Sequence, residues 1–79
     1  MVTIFERVAK VIAQVADVDE HGIKPNTHLE DDLNMDSLDK VELMMAIEEE
    51  FDGTEITDNE VQGLQTAEQI VRFIEEKLE

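Results

Sequence analysis

The sequence predicts an all-α domain, a small bundle of four helices, and three observations carry that prediction. Apolar residues recur at helical spacing in three stretches; Thr3/Glu6, Thr57/Glu60, Thr66/Gln69 and Asp36/Asp39 each place a capping residue three positions before its reciprocal partner; and no stretch alternates apolar and polar residues as a half-buried strand would. Seventy-nine residues suffice for one domain spanning 1–79, burying about 60–65% of the unfolded surface. A hydrophobic content of 42% is enough for a single core, so the chain is expected to fold by itself.

Ile4, Val8, Val11, Ile12 and Val15 line one face of a first helix, predicted over about 4–16 and started by the Thr3/Glu6 box. From Asp17 to Met35 the periodicity lapses among Gly22, Pro25 and several Asn, Asp and Thr residues, which reads as loop. A connector this long is usually functional or pinned, and Ile23, Leu29 and Leu33 are the expected pins. Asp36 and Asp39 open a second helix at Ser37 that ends near Phe51, before the Asp52-Gly53 turn signal. Thr57 and Glu60, with Ile56 and Val61 as a hydrophobic staple, start a short third helix that Gly63 ends. Thr66 and Gln69 cap a fourth, whose apolar face is Ala67, Ile70, Val71, Ile74 and Leu78.

Charge narrows the possible partners. The net charge of −15 repels phosphate backbones and anionic headgroups, so neither nucleic acid nor bare membrane is expected as a partner. No apolar run approaches a membrane span, the N-terminus has no leader-like pattern, and a monomer in the cytoplasm is expected. Without cysteine, any thiol chemistry must be imported. Between Glu30 and Glu60 stand thirteen acids and one base, Lys40, a net of −12 centred on the second helix. At about 100° per residue, Leu43, Ile47 and Phe51 form one stripe of that helix and Leu38, Val41 and Met45 another. The first is assigned to the core. The second, left partly exposed and bracketed by Glu42, Glu48 and Glu49, reads either as a docking strip for a basic partner or as a face that the bundle itself wraps.

Asp17-Val18-Asp19-Glu20-His21-Gly22 begins like an EF-hand loop but fails at His21 and at His28, where the bidentate glutamate belongs. His21 and His28 are assigned no metal. Ser37 starts a helix after a long loop, so a phosphate ester there would meet free N–H groups, although Asp36 and Asp39 oppose an anion. Nothing local supplies the base or the orienting group that a catalytic serine needs, so the chain is expected to be no enzyme.

Asp32-Leu33-Asn34-Met35-Asp36-Ser37-Leu38-Asp39, followed by Val41-Glu42-Leu43, resembles the phosphopantetheine attachment region of acyl carrier proteins. The resemblance extends through the first helix, the Glu48-Glu49-Glu50-Phe51 run, the Ile56-Thr57-Asp58 entry and the closing helix. It implies that a phosphopantetheinyl transferase places 4′-phosphopantetheine, a covalent cofactor, on Ser37. It further implies that the arm's thiol holds acyl groups as thioesters, that the interior shelters them, and that the following helix docks pathway enzymes. Under that resemblance the docking residues are Asp36, Leu38, Asp39, Val41, Glu42, Met45, Glu48 and Glu49, facing basic patches on acyl synthases and acyltransferases. Asn34 stands where the family usually has Gly, and as the residue next most tolerant of positive φ it should keep the left-handed turn. The Asp52-Gly53-Thr54 stretch is one residue longer than the commonest form, Thr57 replaces a frequent Pro, and Lys40 falls near the core-facing side. Fatty-acid synthesis by discrete enzymes is the expected pathway. Polyketide, lipid A-type, aminoacyl or D-alanyl carriers of the same fold stay open, as does an acidic helix-binding module with no prosthetic group.

Overall fold

The first free N–H groups of every helix are taken up by a short polar side chain just ahead of it, and this places the four elements. In the computed structural model, which describes residues 3–52 and 54–78, α1 runs Ile4–Ala16, α2 Ser37–Glu50, α3 Asp58–Gln62 and α4 Ala67–Leu78. The predicted bundle and its boundaries are therefore found. Thr3 and Glu6, Asp36 and Asp39, and Thr57 and Glu60 all form reciprocal capping boxes. At α4 the Thr66 hydroxyl accepts from Gln69 N–H at 3.2 Å while the Gln69 side chain accepts from Thr66 N–H at 3.3 Å. Each such cap stabilises its helix by about 0.5–2 kcal/mol.

The helices pack around one apolar interior. Val8, Val11 and Ile12 of α1, Leu43 and Ile47 of α2, Val61 of α3 and Ile70 and Ile74 of α4 are all buried, and Phe51 joins them from the end of α2. The two staple residues Ile56 and Val61 both lie in this core. Leu78 does not belong to it: it is 49% exposed, one turn beyond Ile74, the last α4 side chain that is buried there. Gly63 ends α3 without a left-handed turn. Its φ is −81° and its N–H donates to Glu60 O at 3.2 Å, so the last turn tightens rather than reverses. At the other end of α1, Asp17 takes the left-handed conformation, with φ 59°. No glycine stands there to announce it. Gly53 of the expected Asp52-Gly53 turn lies outside the described residues; after it, buried Thr54 donates its hydroxyl to Phe51 O at 2.8 Å.

The connector between α1 and α2 is ordered by backbone pairing against the start of α4. Leu29 N–H donates to Gln65 O at 2.8 Å, Ala67 N–H to Thr27 O at 3.2 Å and Glu68 N–H to Pro25 O at 2.9 Å. His28 and Thr66 form an isolated antiparallel bridge. Ile23 and Leu29 are buried as expected, Leu33 is half-buried, and Met35, not among the expected pins, is buried too. A single turn of 3-10 helix, Glu20–Gly22, is capped by Asp19, whose carboxyl is held below its usual range by the His21 N–H that it accepts.

Asn34 has φ 57°, in the left-handed turn predicted for it, so Asn34→Gly should be near neutral in urea unfolding whereas Asn34→Val should cost about 1 kcal/mol or more. The Glu60 carboxyl is held below its ordinary value by the backbone N–H of Thr57, with the Thr57 hydroxyl and the Lys77 ammonium adding to this. Its contribution is therefore present above the ordinary glutamate range and is lost as pH falls through the lowered value. The stability deficit of Glu60→Gln should be measurable at neutral pH and should vanish once the pH falls below the lowered Glu60 value; a deficit that persists unchanged in acid would contradict the linkage.

Candidate functional site

Three elements converge on Ser37. The connector delivers the chain to it through Asn34, whose positive φ turns the backbone, and through Met35, whose N–H donates to Leu29 O at 3.0 Å while its side chain is buried. Helix α2 then begins at Ser37 itself, with the hydroxyl on an exposed residue. Helix α3 is tied to the same point, because Gln62 Nε2 donates to Ser37 O at 3.3 Å.

The cap of α2 does not use Ser37. Asp36 Oδ1 accepts from Asp39 N–H at 2.9 Å, and Asp39 Oδ2 accepts from Asp36 N–H at 3.2 Å. The serine hydroxyl is thus not needed to start the helix, and the N–H groups of Ser37 and Leu38 have no acceptor within the helix. An exposed hydroxyl beside two such donors, at the positive end of a 14-residue helix, suits a phosphate ester. The residues present therefore fit the attachment of a phosphate-linked arm. Asp36 and Asp39, expected to repel it, are each engaged in the capping box, which directs one oxygen of each carboxylate toward a backbone donor.

The two stripes of α2 separate as the wheel placed them. Leu43, Ile47 and Phe51 are buried, while Leu38 is 75% exposed and Met45 52%, with Val41 half-buried between them. Glu42 and Glu49 are exposed flanks. Glu48 differs from the solvated flank drawn for it. It is half-buried, and its Oε2 accepts from Ile56 N–H at 2.9 Å, so it braces the connection into α3. At the far end of α2, Glu50 is gripped by Arg7, which donates to its carboxylate at 2.9 Å and to its carbonyl at 2.7 Å and lies 4.2 Å above the Phe51 ring.

Lys40 lies on the core-facing side where the sequence put it, but its partners were not legible there. Its wheel angle put it near the core, and the structure buries it almost completely, with Nζ donating to Glu30 Oε1 at 3.0 Å. The only signal in the sequence was that angle. Its acidic partner lies ten residues away on the connector, beyond any helical spacing. His21 and His28 are both exposed; His21 Nδ1 lies 3.0 Å from Asp19 and His28 N–H donates to Asp32. Among the described residues no cluster of three or more His, Asp or Glu is placed to hold a metal ion, and no helix is long and apolar enough to cross a membrane.

Residues 6–74 match the protein family described as the phosphopantetheine attachment site. The chain is also 44% identical over 75 residues, 95% of its own length and 91% of the relative's, to an acyl carrier protein of Thermosynechococcus vestitus. The family match over most of the chain and the near full-length relative agree, and the chain belongs to the acyl carrier proteins, the family that carries 4′-phosphopantetheine.

Proposed function

We propose that the chain, as one domain over 1–79, carries acyl groups as thioesters on a 4′-phosphopantetheine arm esterified to Ser37, and serves fatty-acid synthesis by discrete cytoplasmic enzymes. One observation carries the assignment to Ser37. It is an exposed hydroxyl at the first residue of α2, in the Asp36-Ser37-Leu38 context, on a helix whose cap is built by its neighbours. The carrier performs no chemistry itself. The arm supplies the thiol that a cysteine-free chain lacks, and the apolar interior along Leu43 and Ile47 shelters the acyl chain.

Docking runs along the exposed side of α2. Leu38, Val41 and Met45 provide the apolar strip; Asp36, Asp39, Glu42 and Glu49 surround it with negative charge, and Glu48 contributes from its half-buried position. The transferase, acyl synthases and acyltransferases meet this strip with basic patches. Charge sets encounter rate and orientation, and the apolar contact sets residence time.

Coexpression with a phosphopantetheinyl transferase should add the mass of one arm to the wild-type chain, and Ser37→Ala should fold normally and gain none. A Ser37→Ala chain that still acquires the arm would overturn the assignment. Reversing Glu42 or Glu49 to Lys should slow association with the transferase by roughly several-fold at low salt and flatten its salt dependence, whereas Val41→Ala or Met45→Ala should chiefly speed dissociation. Glu75 and Glu76, exposed on α4, are the control. Equal weakening on reversing those two would mean that net charge alone, not this face, governs binding.

A further inference from the structure

On the inward row of α2, the buried Leu43, Ile47 and Phe51 are preceded by Lys40, 1% exposed and one turn from Ser37. Lysine is almost never buried unless paired, and an ammonium out of water depends on the acceptors around it. An ammonium offers three donors. Here one meets Glu30 Oε1 at 3.0 Å, and another reaches the Gln62 carbonyl only at 3.5 Å, the outer limit for such a bond. The Glu30 side chain is 65% exposed, so the pair stands where the interior meets water. Gln62 also binds the Ser37 carbonyl. The connector, the start of α2 and the end of α3 therefore meet around one under-coordinated cation beside the attachment residue.

Lys40 is also the only base between Glu30 and Glu60 in a chain of net charge −15. Beyond the free N–H groups at the start of α2, Lys40 is the one basic side chain that this acidic stretch offers to an anionic group brought near Ser37. A plain hydrocarbon entering beside Lys40 would push the ammonium away from its acceptors and replace them with nothing, which is costly for a buried cation. A carboxylate would supply the acceptor that the Gln62 carbonyl supplies poorly, while the methylenes behind it would lie against Leu43 and Val61 in the core.

We propose that Lys40 sets the class of cargo this carrier shelters, favouring acyl chains that end in a carboxylate over simple alkanoyl chains of the same length. The inference rests on the reading that Ser37 bears the arm and that the interior receives the acyl chain. Glu30 is the cargo's competitor for the ammonium and yields its place when a terminal carboxylate arrives.

The test loads the whole chain from hexanoyl-coenzyme A and from adipoyl-coenzyme A with a phosphopantetheinyl transferase, in the wild type, Lys40→Met and Glu30→Gln. Intact mass checks every loading, so a failure at Ser37 shows as missing mass and is distinct from a failure of the cargo inference. Melting temperature and the rate of thioester hydrolysis are then measured. In the wild type the adipoyl form should melt higher and hydrolyse about fivefold more slowly than the hexanoyl form, the scale of one charge pair at a partly exposed boundary. Lys40→Met removes the cation and leaves Glu30 in solvent; it should reverse the order. Glu30→Gln removes the competitor and should widen the adipoyl advantage. Equal behaviour of the two cargoes in the wild type, or an order unchanged by Lys40→Met, overturns the proposal. Should Lys40→Met not fold, a Glu30→Gln chain with no gain in adipoyl preference overturns it equally.

Discussion

The pairing of the α1–α2 connector with the start of α4 is the constraint on which the site depends. Ordering each residue of such a segment costs about 1–2 kcal/mol in backbone entropy, and a connector spanning 17–36 has no helix of its own beyond one 3-10 turn to offset it. The carbonyls of Pro25 and Thr27 accept from the first two N–H groups of α4, and the Leu29 N–H is held by the Gln65 carbonyl. One set of bonds thereby caps a helix and fixes a loop. With Ile23, Leu29 and Met35 buried beneath it, the connector arrives at Asn34 in a single path, and the beginning of α2 is set in space as well as in sequence.

The acidic excess is less uniform than the net charge implies. Glu6, Asp36, Asp39 and Glu60 accept helix-start N–H groups, Asp19 does the same for the 3-10 turn, and Glu48 holds Ile56. Glu50 and Glu30 are matched by Arg7 and Lys40. These carboxylates organise the backbone. Glu42 and Glu49 remain exposed on α2 beside Leu38 and Met45. The negative field around α2 thus comes from two populations: carboxylates committed to the fold, and carboxylates left for whatever approaches.

How much of this could be read from the sequence follows from the range of each interaction. Helix starts were legible because a capping box lies within four residues, and the same holds for the left-handed Asn34, marked by its residue type and its place in the motif. The split of α2 into a buried and an exposed stripe was legible because angle on a helix is arithmetic. Lys40 was legible as near the core-facing side, but its partners were not, since only the tertiary fold brings Glu30 and Gln62 near it. Glu48 was missed for the same reason: an angle shows which way a side chain leaves its helix and says nothing of the Ile56 N–H waiting there. Leu78 kept the apolar period of α4 past the point where the core ends, and Asp17 took a left-handed cap without the glycine that signals one.

The division of labour at the start of α2 has one more consequence. Since Asp36 and Asp39 secure the helix, Ser37 is a silent position for the architecture, and its oxygen can be free or esterified without disturbing the bonds that start α2. If Ser37 bears the arm as proposed, the bonds that start α2 are the same with the arm and without it, and whatever distinguishes the two states lies in the appended group.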